Sequence, residues 1–330
     1  MIEVNRRECG IVALLCLSTA LITTYVGMAG FRADDVATSD NQRYTALALG
    51  HTDVLKPFHY RVLVPAVVRM LPSLSSDPVR AAQLGFAAID VGALSVAGFA
   101  LYLLLRTWRA TPAIAVIGVL FFYLSHPVLR FATVPMIESS AWAVLILAML
   151  AAERRLHLAL IAVVLVGMFV KETTVIALVY PLVMTAPLAQ RLRLSACALP
   201  GVIAYAAFRL LNPAPGYTYS STAWLHNLWT LASLQDLARW RTIVLAYGLW
   251  WLLLPIALRL REGLVPNRYS WLIAGCFTMA AILSTDYERV LFLVFPIVLG
   301  LCLPTFVRLL TSSTVFSGVA ATQEPTGTSP

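Results

Sequence analysis

Charge is scarce in this chain. Only 12% of its 330 residues are Asp, Glu, Lys or Arg, against about a quarter in a soluble domain. A soluble fold must cover itself with polar side chains, and a chain that is 60% hydrophobic has too few of them. The shortage therefore excludes an ordinary water-soluble globule. Cysteine is scarce as well: five residues, at 9, 16, 197, 276 and 302, with no CxxC pair among them. That excludes a disulfide framework and a zinc-ligand spacing, and leaves the cysteines as small buried apolar groups. Internal repeats are missing, and so is any stretch polar enough to form a soluble domain. Basic residues do outnumber acidic ones, for a net charge of +8. They fall in short groups between apolar runs, the distribution of topology signals and not of a phosphate-tracking surface, which argues against a nucleic-acid partner.

What the chain does have is apolar runs. Mean hydropathy is +0.81, and the runs cover about 10–31, 81–105, 111–125, 134–152, 156–170, 173–187, 194–211, 242–260, 270–284 and 290–310. A bilayer crossing takes roughly 20 residues. The third, fifth, sixth and ninth runs are short, which suits helices packed among neighbours or bordering a polar cavity. The pattern predicts an all-α integral membrane protein of about ten transmembrane helices over 1–310, with a disordered tail at 311–330. Arg6 and Arg7 precede a first run too long for a cleaved signal peptide, so a retained signal anchor is expected.

With the N-terminus in the cytoplasm, every inner loop is short and holds at least two arginines: Arg106 and Arg109, Arg154 and Arg155, Arg191 and Arg193, then Arg259, Arg261 and Arg268. This positive-inside pattern puts both termini in the cytoplasm and most acids outside. Two outer segments are long. Segment 32–80 contains His59–Leu71, with apolar residues at helical spacing, which reads as an amphipathic helix at the interface. Segment 212–241 carries Trp224, Trp229 and Trp240, suited to the headgroup level.

Ionisable residues near the bilayer are costly, roughly 2.5–3.5 kcal/mol each, and so mark function. Four clusters qualify, all on the expected outer face. Asp34, Asp35 and Asp40 with Tyr44 offer a general base or a divalent-metal ligand, or else a solvated loop capping a helix. His59 and Arg61 offer a phosphate clamp, or snorkelling to lipid headgroups. Lys171-Glu172 forms the tip of a helical hairpin, with Glu138 facing the same side; the alternative is a neutralised turn. Asp286-Tyr287-Glu288-Arg289 offers an arginine for phosphate and an acid to orient it, or a polar outer turn. Asp90 lies mid-run and reads as an interhelical packing residue.

The order of these features resembles the bacterial polytopic glycosyltransferases of the GT-C fold, in particular a branch assigned to cell-surface glycopolymer formation. The matching stretches are Asp40-x-x-x-Tyr44, Pro57-Phe-His-Tyr-Arg61-Val-Leu-Val-Pro65, Lys171-Glu172-Thr and Asp286-Tyr-Glu-Arg289 followed by a run containing Pro296. The resemblance implies transfer, with inversion, of a sugar from a polyprenyl-phosphate donor to a glycan or lipid acceptor, on the outer face of a bacterial inner membrane. It also implies Asp40 or Asp35 as base, Arg61, Lys171 and Arg289 as phosphate ligands, Glu172 and Asp286 orienting them, and His59 assisting. The chain lacks the large outer domain of many such enzymes, and its acid pair is not Asp-x-Asp, so the choice of base and any divalent metal stay open. A transporter or lipid-linked glycan flippase, a surface-polysaccharide polymerase or ligase, and an inactive scaffold are the competing classes.

Overall fold

A computed structural model describes residues 5–30, 39–51, 54–55, 57–71, 75–131, 135–213, 237–283 and 287–320. Every regular element among them is helical. The chain is an all-α membrane protein. Among the described residues four helices are long and apolar enough to cross a bilayer, or five if one bent pair counts as a single span.

The long helices are α1 (Arg6–Gly30), α4 (Pro78–Thr107) and α10 (Leu188–Leu211), together with a last span, Tyr287–Thr311. That span is built from α14 (Tyr287–Leu291), a 3-10 turn and α15 (Phe295–Ala320). Between these lie α5 (Pro112–Tyr123), α7 (Glu138–Glu153), α8 (His157–Val170) and α13 (Ser270–Leu283). At 1.5 Å per residue, helices this short reach roughly 18–24 Å, less than the ~30 Å hydrocarbon thickness.

Each of the ten apolar runs is helical, with two departures from simple rods. The sixth run, Glu172–Val183, is a 3-10 turn, one α turn (α9, Ile176–Val179) and a second 3-10 turn. Pro181 lies in the second turn and has no N–H for a helix ladder. The eighth run breaks into α11 (Leu237–Tyr247) and α12 (Trp250–Leu260), bent by 61°. Gly248 sits at the break with φ +54°, a conformation that favours glycine. The last helix continues to Ala320, past Thr311, where the sequence predicts a disordered tail. Most of the second long outer segment and residues 321–330 lie outside the described residues.

Helix starts follow local chemistry. Asp77 caps α4 by accepting from Val79 N–H at 3.0 Å, with Pro78 in the first turn. Three turns on the expected inner side are closed by arginines in the left-handed region, Arg109, Arg155 and Arg261. Glycine would be the less strained choice there. The basic side chain stands where a topology signal is wanted.

Packing sorts the helices. The last span is mostly buried, whereas α1 and α10 show most of their apolar surface to the outside. Ile11, Leu14 and Ile22 on α1 and Ile203, Leu210 and Leu211 on α10 are all exposed. Lipid is the solvent that makes such a surface stable. The outer-segment helix is real: a 3-10 turn at Phe58–Tyr60 leads into α3 (Leu63–Met70), whose Val68 meets Gly85 of α4.

Polar contacts gather at the two ends of the bundle. At one end Glu8, at the start of α1, accepts from the Tyr102 hydroxyl and pairs ionically with Arg106, whose Nε stands 3.3 Å away. Glu153, at the end of α7, accepts from the hydroxyls of Tyr180 and Tyr269, each at 2.7 Å. These contacts lie beside the arginines of the loops expected on the inner side. Glu138, at the other end of α7 and about 22 Å away by helical rise, belongs to the second group.

Candidate functional site

Helix α2 (Ser39–Ala48) carries Asp40, Arg43 and Tyr44 on successive turns of one face. Arg61 follows the 3-10 turn, Glu138 opens α7, Lys171 ends α8, Glu172 begins the next turn, and Arg289 lies in α14. Neighbours in sequence alternate direction, so these helix ends meet.

Glu138 is the centre. It is 1% exposed and accepts from Lys171 Nζ at 2.7 Å and from Arg289 Nε at 2.8 Å, with a further bond from Arg289 Nη2. Arg289 Nη1 donates to Asp40 Oδ2 at 2.8 Å. Arg43 stands 3.9 Å from the other Asp40 oxygen. A second pair lies alongside: Arg61 Nε donates to Glu172 Oε2 at 2.9 Å, Nη2 bonds Oε1, and Nη1 donates to the Tyr44 hydroxyl at 2.8 Å. Because Lys171 and Glu172 are adjacent, the two sets form one array.

The array is buried. Arg61, Lys171 and Arg289 are each below 9% exposed, while the Asp40 side chain is partly open. Burial pushes the Lys171 ammonium below its usual range, with Glu138 opposing and Arg289 and Arg61 adding to the fall. Burial alone would raise the Glu172 carboxyl, but the Arg61 guanidinium outweighs it and holds it below the usual carboxylate range. Burial pushes the Tyr44 phenol up, so it stays protonated and accepts from Arg61. Two rings support the guanidiniums: Phe58 faces Arg43 at 4.7 Å and Arg61 at 5.2 Å, and Phe131 faces Arg130 at 5.3 Å and Arg289 at 5.6 Å.

Of the residues singled out from sequence, seven thus meet: Asp40, Tyr44, Arg61, Glu138, Lys171, Glu172 and Arg289. Asp35 and Asp286 lie outside the described residues. His59 is placed apart from the array. It lines a cleft with His51 and Arg69 over Leu47, Val62 and Pro65, and its Nδ1 is buried without a partner. Asp90 is buried against the start of α7, beside Ser139 and Glu138. Sequence reading missed His126 and Arg130 of α6 (His126–Phe131), both bonded to the buried carboxylate of Glu288. The available signal was two basic side chains four residues apart in a gap between apolar runs.

Two features limit the chemistry. Each buried cation already faces a carboxylate, so Arg61, Lys171 and Arg289 belong to a neutralised array and are not open anion ligands. Among the described residues no three of His, Cys, Asp and Glu gather to hold a metal, and Asp40 faces the Arg289 guanidinium. No family profile matches the chain, and neither a curated protein nor a solved structure does.

Proposed function

We propose that this protein transfers a sugar, with inversion, from a polyprenyl-phosphate donor to a glycan or lipid acceptor of the bacterial cell envelope. In this reading it is a GT-C-like enzyme of about ten membrane crossings. Both termini are cytoplasmic, and the site opens at the outer face of the inner membrane.

One observation carries the proposal: two acids, Asp40 and Glu138, and three cations, Arg61, Lys171 and Arg289, from five separate segments are drawn together at one end of an apolar bundle, and of these five Asp40 is partly open. A lipid-phosphate donor presents its sugar at that depth, with its isoprenoid tail among the apolar helices. The acceptor hydroxyl gives its proton to Asp40 as its oxygen bonds to the anomeric carbon. The phosphate leaves with the electron pair of the broken bond. The buried cations are set before the reaction begins, so they offset the growing negative charge without reorganising.

Membranes containing wild type, Asp40→Asn and Arg289→Ala are supplied with radiolabelled polyprenyl-phosphate hexoses and pentoses. Wild type moves label from lipid to acceptor. Asp40→Asn is slowed by about 10²–10⁴-fold, the usual contribution of a general base, and Arg289→Ala falls with it. Unchanged transfer in Asp40→Asn overturns the assignment.

Passage of a lipid-linked glycan across the bilayer is the second reading. Buried Asp90 beside Glu138 favours it, because transporters place ionisable groups within their spans. Label that crosses sealed vesicles without leaving its lipid decides for transport.

A further inference from the structure

Glu288 is a buried carboxylate at this end of the bundle that the proposed chemistry leaves unused. It is 2% exposed. One of its oxygens bonds His126 Nδ1, and the other lies 3.4 Å from Arg130 Nη1. His126 and Arg130 stand one helical turn apart on α6, while Pro127, Val128 and Phe131 of that helix are buried. The imidazole keeps 37% of its surface open, and among the described residues Nε2 has no hydrogen-bond partner. A carboxylate on one ring nitrogen fixes the ring and leaves the other to work, the arrangement of a histidine used in proton transfer.

Such a pair can also be a structural clip with one end wet. Its position argues for more. Glu288 and Arg289 are consecutive on α14, so their side chains leave the helix about 100° apart. Arg289 holds Asp40, and Glu288 holds His126. The Phe131 ring, 5.6 Å from Arg289 and 5.3 Å from Arg130, links the two sets. An inverting displacement needs a base on one face of the sugar and help for the leaving group on the other. The fold supplies one group on each flank of a single helical turn.

We propose that His126, oriented by Glu288, is a catalytic residue whose Nε2 meets the donor phosphate. The inference rests on the sugar-transfer reading above. A phosphodiester donor carries one negative charge. When its bond to the sugar breaks, the electron pair stays on the phosphate oxygen and the charge rises to two. An imidazolium has an N–H on each nitrogen: Nδ1–H donates to Glu288, and Nε2–H donates to that oxygen. A phosphate monoester has a second pKa of about 6, so the proton can pass fully. The acceptor's proton goes to Asp40. After the products leave, Asp40 releases a proton to water and His126 regains one from water, which restores the starting charges.

Two measurements are made on wild type, His126→Ala, His126→Gln and Glu288→Gln in detergent: binding of undecaprenyl phosphate by native mass spectrometry, and transfer from the labelled donors. Thermal unfolding selects variants that fold as wild type does. The expected result is at least tenfold weaker binding in both His126 variants, with transfer down by about 10²-fold. Added imidazole restores part of the transfer in His126→Ala, which a merely structural histidine would not allow. Wild-type binding and transfer in the His126 variants overturn the inference and leave the sugar-transfer reading standing. If wild type transfers from no donor, that reading fails. Binding of undecaprenyl phosphate then decides alone: loss in the His126 variants sustains His126 as a phosphate ligand, and its persistence overturns it.

Discussion

Replacing Glu138 by Gln tests the array at its centre. The substitution keeps the shape and removes one charge. Arg289 still has Asp40 at 2.8 Å. Lys171 has no such reserve: it is 6% exposed, Glu138 is its ion-pair partner at 2.7 Å, Arg289 and Arg61 act on it with like charge, and the neighbouring Glu172 is bonded to Arg61. Leaving a buried charge without its partner costs about 3–5 kcal/mol. The ammonium can escape by losing its proton. From an ordinary pKa of about 10.4, that costs about 1.36 × 3.4, or about 4.6 kcal/mol at pH 7. Both routes give a similar ceiling. Glu138→Gln should therefore lose about 3–5 kcal/mol in reversible unfolding from mixed micelles. Lys171→Met should lose less, because Glu138 keeps Arg289. The double variant should recover most of the Glu138→Gln loss. Glu138→Gln within about 0.5 kcal/mol of wild type, the range of an ordinary surface change, would refute the reasoning. So would a double variant no more stable than Glu138→Gln alone.

Helix packing and pH supply two further tests. A Cβ on Gly201 of α10 would lie 2.9 Å from the backbone of Val164 and Leu165 in α8. Backbone gives way poorly, so Gly201→Ala should lose about 1–3 kcal/mol in the same unfolding assay. Gly275→Ala on α13, where nothing lies within 4 Å, should be neutral or slightly stabilising. The Glu172 carboxyl is held below its ordinary 4.5 in the folded protein. Its pairing with Arg61 thus contributes in full above about pH 4.5 and is lost as pH falls through the lower folded value. The melting temperature of wild type should fall more steeply below pH 4.5 than that of Glu172→Gln, and parallel curves would contradict the pairing.

Much of the fold was legible because apolar runs and helices obey the same constraint: backbone groups in lipid must bond within their own segment. Each of the ten runs is helical. The breaks were harder to read. Gly248 bends the eighth run by 61°, and a glycine within an apolar run carries no mark of whether it will kink the chain or pack against a neighbour, as Gly201 does. The sixth run begins and ends in 3-10 turns, the second of them containing Pro181, and composition alone does not distinguish that from one plain helix.

The site divides in the same way. Its members were legible because an ionisable residue in an apolar chain needs a reason to be there. Their pairing was not, since Asp40 and Arg289 are 249 residues apart and Glu138 and Arg289 are 151 apart. Adjacent charges turned out to serve different partners. Lys171 faces Glu138 while Glu172 faces Arg61, and Glu288 faces His126 while Arg289 faces Asp40. A local pair such as Lys171-Glu172 reads as self-neutralising in sequence, yet Lys171 stands in extended backbone between α8 and the 3-10 turn that Glu172 opens, and the two side chains part. Each must find its counterion on another segment. That geometry ties five segments into one array, and it makes the array sensitive to the loss of any one charge.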